Sequence, residues 1–306
     1  MRNLTAPNKY FWEPGPDQLN QELGEQAAFV ILSSRSNDGA LTEPITAVEP
    51  SNSAGTYQAV PPFNILFAPF WKDMQTFGIS NPKQFRVAPH PTLDSKVYTE
   101  GFEEVKQYGG KLNAKRSNEQ TAYAQFWYEF SEAGWNRVAR SAIIGRNSDL
   151  FNSARLFALL NIAMADAYTA GWDSKFHYNF WRPFTAIRNA ETDGNPNTSS
   201  DITWEPLMPT PPVQDYPSTH SALGKAAATV LTSLLGDNLS FTFESVTADP
   251  QNKSRTFKSF NAAALENADS RVMAGLHFRF SCDAGLKLGD DIGKWVIQHH
   301  MTPGGK

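Results

Sequence analysis

A chain of 306 residues with 27 Lys and Arg against 31 Asp and Glu, formal net charge −4, is long enough to bury one large core or two ordinary ones. It carries no global basic field, so general nucleic-acid binding is disfavoured, although a local cationic pocket can hide inside that average. The single cysteine, Cys282, excludes an intrachain disulfide and any metal site built from several thiolates.

No apolar run approaches the roughly 20 residues that cross a bilayer, and the longest, around 226–235, is broken by Thr and Ser. The first residues, Met1 to Trp12, carry one arginine and one lysine but no apolar core of a secretory signal. The expectation is either an intracellular protein or one whose signal has been removed, with a periplasmic or secreted location favoured.

In chain order, apolar positions Leu19, Leu23, Ala27, Val30 and Leu32 predict a helix over about 17–33. From Leu41 to about Pro91 the chain is rich in Pro, Asn, Ser and Gly, which predicts a long irregular segment wrapped over a core or shaping a cleft. Helical patterning returns over 95–108 and 117–144, the second opening on Ser117 with Gln120 three residues on, as a capping box requires. An Ala- and Leu-rich helix is expected over 147–166, and another helical stretch over 172–190. A Pro-rich loop from Asn195 to Pro217 leads into a helix over 218–235. Residues 240–247 alternate as a strand or hairpin arm does, helices over 256–274 and 282–299 follow, and Pro303 to Gly305 punctuate the end. With no internal repeat or low-complexity linker, the expectation is a single helical domain over 1–306.

Three short patterns carry the chemistry, all within 166–285. They are Lys175 followed by Arg182-Pro183, then Pro217-Ser218-Thr219-His220, then Ser270-Arg271 followed by His277. Singly, each reads as a solvated charge, a helix cap or an ion pair. Together they make one pocket. Lys175 and Arg182 are two helical turns apart and would share a face, a picture that Pro183 complicates by disfavouring helix at Arg182. Ser218 and Thr219 open a helix, where unpaired N–H groups and the positive dipole end cradle an anion. With Arg271 there are three fixed cations, suited to a tetrahedral oxyanion. His220 and His277 add one group to bond the central atom and one to move protons.

These residues resemble the superfamily shared by vanadium-dependent haloperoxidases, type 2 phosphatidic acid phosphatases and bacterial acid phosphatases, whose signature runs Lys-x6-Arg-Pro, Pro-Ser-Gly-His, Ser-Arg-x5-His. The resemblance implies an all-α fold of two helical bundles packed as one domain. It implies that Lys175, Arg182, Ser218, Thr219 and Arg271 hold the oxyanion's equatorial oxygens, that His277 bonds vanadium or attacks phosphorus, and that His220 is the acid–base group. The implied cofactor is vanadate, with phosphate as an alternative occupant.

Two departures stand out. Thr219 occupies the usual glycine position; it keeps the backbone N–H and adds bulk and a hydroxyl beside the apical position. Four residues after His277, where the phosphatases place an aspartate that orients the histidine, stands Ser281, and the nearest carboxylate along the chain is Asp283. That departure counts more against phosphatase turnover than against vanadate ligation.

Trp172, three residues before Lys175, stands where haloperoxidases of this family carry an aromatic or histidine beside the halide path. Val213 stands where they place Phe or His, leaving an apolar pocket and the halide unassigned. The Phe180–Phe184 and Gly275–Phe280 segments, and the long separation of His220 from Arg271, also resemble the haloperoxidase branch. The resemblance therefore implies a vanadate-dependent haloperoxidase acting on hydrogen peroxide, halide and a small organic substrate, with Lys175 polarising the bound peroxide and His220 taking its proton. It allows a homo-oligomer. The alternatives are a phosphomonoesterase using the same pocket and a non-catalytic oxyanion binder. Asp166, nine residues before Lys175, is a candidate partner for a site cation. His90, His177, Arg279, His299 and His300 match no motif.

Overall fold

The computed structural model describes residues 18–112, 114–144, 146 and 149–302. The expected helix starts at Asp17 and Asn147 and the closing Pro303–Gly305 lie outside them. Two units divide between residues 40 and 41. In the first, helix α1 (Gln18–Ser34) runs into a turn where Arg35 Nε meets Asp38 at 2.8 Å.

From residue 41 on, the all-α expectation holds, and among the described residues strands are confined to two two-stranded antiparallel sheets. The segment read as irregular contains β1 (Ile45–Ala47), β2 (Ile65–Phe67) and a 3-10 turn at Pro69–Asp73. It does wrap over the core. Phe67 N–H donates to Pro212 O at 2.9 Å, Arg86 forks onto Asp173 with both bonds at 2.7 Å, and the hydroxyls of Tyr178 and Tyr216 donate to the carbonyls of Val87 and Ala88. Half-buried His90 packs against Phe180 at a ring distance of 4.0 Å.

Helix α2 (Lys96–Tyr108) is capped by Ser95, and α3 (Asn118–Phe126) opens on the reciprocal Ser117–Gln120 capping box. The single helix expected over 117–144 is corrected to two, α3 and α4 (Ser131–Ile143). The break has a tertiary cause. Trp127 turns inward, its ring 5.9 Å from that of Trp135 and its Nε1 donating to Glu266 at 3.0 Å, and the main-chain carbonyls freed at 127 and 129 accept from groups elsewhere in the fold.

The helices expected over 147–166 and 172–190 also need correction. Helix α5 runs unbroken from Leu150 to Tyr178, capped by Asp149 and closed by Asn179 in the left-handed conformation at φ 47°. Arg182 then lies in extended backbone as the N-cap of α6 (Pro183–Arg188), where the proline ring fixes the first helical residue. Lys175 and Arg182 therefore do not share a helix face. A 3-10 turn at Ala190–Thr192 opens the Pro-rich loop before α7 (Thr219–Leu235). The alternating segment forms β3 (Phe241–Glu244), with Phe241 and Phe243 inward, paired with β4 (Ser254–Phe257). That pairing takes the first residues of the helix expected at 256, so α8 spans Phe260–Met273; α9 spans Arg279–His299.

Helix α7 is the centre of a bundle with α5, α8 and α9, and α2, α3, α4 and α6 cover its flanks. Gly285, Gly289 and Gly293 recur every fourth residue on α9 and let its backbone press onto α7. A Cβ at 285 would stand 2.2 Å from the carbonyl oxygen of Ser218, and one at 289 would stand 2.1 Å from that of Ala222. This approach brings the start of α7 to the start of α9, where Ser218 N–H donates to Ser281 O at 2.8 Å.

Candidate functional site

Lys175 reaches the site from the last turn of α5, fully buried, and its Nζ donates to the carbonyls of Gln214 and Asp215 at 2.6 and 2.9 Å. Arg182 arrives from the extended stretch that joins α5 to α6. Its Nε donates to Val213 O at 2.7 Å and its Nη1 to Leu276 O at 2.8 Å, leaving Nη1 3.0 Å from His277 Nε2. Both cations are thus steered by the loop that precedes Ser218.

His277 follows α8 on a short turn. Its Nδ1 lies 2.9 Å from Asp215 Oδ1, and the hydroxyl of Ser281 donates to Asp215 Oδ2. The expected loss of an orienting carboxylate is therefore corrected. The carboxylate is supplied from the loop before α7, and Ser281, read as the point of loss, holds it in place. Asp283, the nearest carboxylate along the chain, is not the partner of His277 in the described geometry.

At the start of α7, Ser218 caps the helix with its hydroxyl, accepting from Ser221 N–H at 3.4 Å, and Thr219 is the first helical residue. The Thr219 methyl fills a space that exists because residue 171 on α5 is glycine: a Cβ there would lie 2.5 Å from Thr219 Cγ2. His220 Nε2 lies 2.9 Å from the carbonyl of Glu129, in the break between α3 and α4. Arg271, buried at the end of α8, donates from Nη1 to Trp127 O at 3.4 Å and lies over the Tyr128 ring at 5.8 Å. The α3–α4 break thus supports one cation and one histidine.

Electrostatically the cluster is short of negative charge. Burial lowers the pKa of Lys175 well below the ordinary lysine range, with the nearby Arg182 adding to it. Burial also lowers Arg182, and it brings Arg271 to about 10. Both histidines fall well below the ordinary histidine value, first through burial, then through Arg271 for His220 and Arg182 for His277. Asp215 moves the other way, up to about 6, because burial outweighs the attraction of Arg182 and Lys175.

Of the remaining expected residues, Val213 contributes its carbonyl to Arg182, with its side chain buried. Trp172 lies buried in an aromatic cluster, stacked on Tyr168 at 4.3 Å and 5.9 Å from Trp71, and its Nε1 has no hydrogen-bond partner among the described residues. Asp166 does not pair with a site cation. Its carboxylate accepts from the backbone N–H groups of Phe77, Gly78 and Ile79 at 2.7, 2.6 and 2.9 Å, pinning the outer loop to α5. Arg279 pairs with Glu104 and Asp269 away from the motif cations.

Sequence reading missed Asp215, the carbonyls of Trp127 and Glu129, and Tyr57, whose buried hydroxyl is pushed up to about 12 by burial against the pull of Arg182. One signal for Asp215 was present: it is the sole carboxylate between Glu205 and Lys225. The carbonyls carry no sequence signal at all.

A tetrahedral oxyanion fits these residues. Three buried cations face one carboxylate, and Arg271 Nε is a buried donor with no hydrogen-bond partner among the described residues. The chemistry of the set, guanidinium and ammonium donors around a neutral imidazole, suits vanadate or phosphate.

Known proteins share this fold and much of this sequence. Residues 155–304 match the family model of the VCPO second helical-bundle domain. The vanadium chloroperoxidase of Curvularia inaequalis is 27% identical over 326 aligned positions covering 82% of this chain; the chain spans 52%, about half, of that relative's length. A bacterial vanadium-dependent chloroperoxidase in its holo form superposes with a TM-score of 0.71 over 90% of this chain and 72% of its own, at 16% identity, a likeness of fold. The structure described as the first bacterial vanadium-dependent iodoperoxidase superposes with a TM-score of 0.78 at 31% identity, covering 91% of this chain and 68% of its own. On the strength of that relative, the bundle match and the motif cluster, the chain belongs to the vanadium haloperoxidase family.

Proposed function

We propose that this chain is a vanadate-dependent haloperoxidase that uses hydrogen peroxide to oxidise halide to a hypohalous-acid equivalent, which then halogenates a small organic substrate. The observation that carries the reading is the buried cluster of Lys175, Arg182 and Arg271 around a neutral His277 whose Nδ1 is already engaged by Asp215. In this reading Lys175, Arg182, Arg271 and the N-terminal turn of α7 at Ser218 and Thr219 would hold the oxyanion's oxygens, and His277 would bond its central atom. Vanadate, when bound, supplies a Lewis-acidic centre that activates hydrogen peroxide toward halide without any change of metal oxidation state.

The protein's part is placement of charge and protons. His220 Nε2 is engaged by a carbonyl, so its Nδ1 is the atom that takes a proton from incoming peroxide. Lys175, held on two carbonyls, draws electron density from the oxygen nearest it. Burial excludes water and strengthens each of these effects. Trp172 and Val213 line the halide side.

A second reading, a phosphomonoesterase, is favoured by one observation: Asp215 restores the carboxylate contact to His277 that Ser281 had put in doubt, leaving that histidine oriented as a nucleophile. A paired assay on metal-stripped protein separates the two. Oxidation of iodide, bromide and chloride is measured with and without added orthovanadate, beside hydrolysis of an aryl phosphate. The haloperoxidase reading expects vanadate-dependent halide oxidation with negligible hydrolysis. Vanadate-inhibited hydrolysis without oxidation of any halide would establish the phosphatase.

A further inference from the structure

The family signature supplies His277 but, in this chain, nothing at the fourth following position to orient it: Ser281 stands there. The loop before α7 supplies the missing group. We propose that Asp215, anchored by Ser281, is a positioning residue that holds His277 with Nδ1 protonated and the Nε2 lone pair presented to the oxyanion. The proposal rests on the reading above that His277 bonds the central atom.

Two neighbours favour the same tautomer. Asp215 Oδ1 approaches Nδ1 to 2.9 Å as an ion-pair contact outside hydrogen-bond geometry, and because an ionised carboxylate can only accept, its charge favours a proton on Nδ1 over a lone pair there. A guanidinium can only donate, and Arg182 Nη1 lies closer to Nε2, at 3.0 Å, than to Nδ1, at 3.5 Å, which favours the lone pair on Nε2. Asp215 is in turn held through its backbone and its other carboxylate oxygen. Its N–H donates to Phe180 O at 3.0 Å, its carbonyl accepts from Lys175 at 2.9 Å, and its outer carboxylate oxygen accepts from Ser281. The Ser281 side chain is fully buried, as is Asp215, so the geometry is set by packing as well as by hydrogen bonds. The carboxylate beside His277 thus stands on the loop before α7, and α9 supplies its anchor in Ser281.

A positioning role and a purely electrostatic one predict opposite signs. If Asp215 only offset the buried cations, removing its charge would tighten binding of every oxyanion. If it orients His277, removing it weakens vanadate, which needs the imidazole bond, and spares phosphate, held by the cations alone. The test uses the full chain with nitrogen-15-labelled histidine, the His277 signals being assigned by their loss in His277→Gln. In the wild-type protein near pH 8, Nδ1 is expected to be protonated and Nε2 bare.

In Asp215→Ala that preference is expected to be lost, with orthovanadate bound roughly 10- to 100-fold more weakly and inorganic phosphate bound equally or more tightly. Ser281→Ala should shift vanadate the same way by less, and Ser281→Thr, which keeps the hydroxyl, should restore it. A wild-type His277 protonated on Nε2, or vanadate tightening together with phosphate in Asp215→Ala, overturns the proposal. If Asp215→Ala does not fold, the wild-type tautomer and Ser281→Ala decide the matter alone. His277→Ala that keeps wild-type vanadate affinity overturns the reading beneath the proposal. Loss of affinity there, combined with the wrong tautomer in the wild type, overturns the Asp215 device by itself.

Discussion

His220 donates its Nε2 proton to the carbonyl of Glu129, 2.9 Å away in the turn that separates α3 from α4. A carbonyl only accepts, so this contact settles the tautomer and leaves Nδ1 as a bare base. Burial and the neighbouring Arg271 keep the ring neutral well below the ordinary histidine range. His220→Ala is therefore expected to lower the rate of vanadate-dependent halide oxidation roughly 10²- to 10⁴-fold, the span of a lost general base. Orthovanadate affinity, measured by direct titration, should change far less, because the cations and His277 remain. An equal loss of affinity and rate would make His220 a ligand and not a proton carrier.

Thr219 and Gly171 form a complementary pair across the α5–α7 contact. A methyl introduced at 171 would meet Thr219 Cγ2 at 2.5 Å, and the threonine, locked at the first helical position, has little room to turn. Gly171→Ala should cost roughly 1–3 kcal/mol in urea unfolding. Adding Thr219→Ser removes the opposing methyl and should recover most of it, a coupling of about 1–2 kcal/mol. Independent, additive losses would show that the two residues do not press on each other.

Asp166 holds the outer loop and takes no part in the cation cluster. Its carboxylate accepts three consecutive backbone N–H groups, at Phe77, Gly78 and Ile79. Asp166→Ala strands those donors and should destabilise the fold by roughly 2–4 kcal/mol. Orthovanadate affinity is expected to stay within about two-fold of wild type, as for a site outside the network. A large drop in affinity with little loss of stability would return Asp166 to the pocket.

The carboxyl of Asp215 has a definite pH signature. Its folded pKa is pushed up to about 6 by burial, whereas an unfolded aspartate titrates near 3.9. Between those values the folded state binds a proton that the unfolded state has released. The contribution of this group to stability therefore falls as pH rises from about 4 through 6. Unfolding of the wild type compared with Asp215→Asn at pH 4 and pH 7.5 should show the wild type losing on the order of 2–3 kcal/mol relative to the variant. A relative gain across that window would mean that the cations, and not burial, dominate at Asp215.

Much of the molecule was legible in the chain. The Ser117–Gln120 capping box forms as its spacing requires, and Phe241 and Phe243 point inward as their alternation requires, because both patterns are read between residues of one element. The elements that were misjudged were decided at longer range. The helix expected over 117–144 breaks because Trp127 finds Glu266 and Trp135, and because His220 and Arg271 draw on the carbonyls exposed by the break. Helix α5 runs through residues 167–171, where small and polar residues weakened the apparent pattern, because that face packs directly against α7.

For the site, three short motifs in fixed order, and the family signature they resemble, were enough to nominate Lys175, Arg182, Ser218, Thr219, His220, Arg271 and His277. Sequence by itself thus determined the helical class of the scaffold and nominated the groups proposed for the pocket. Only the tertiary structure decided how those groups are aimed. A chain shows which residues neighbour one another along an element, but not which loop meets which helix. Here the glycine face of α9 lets its backbone press onto α7, bringing Ser218 to Ser281, and it is in this packed arrangement that Ser281 and His277 meet Asp215.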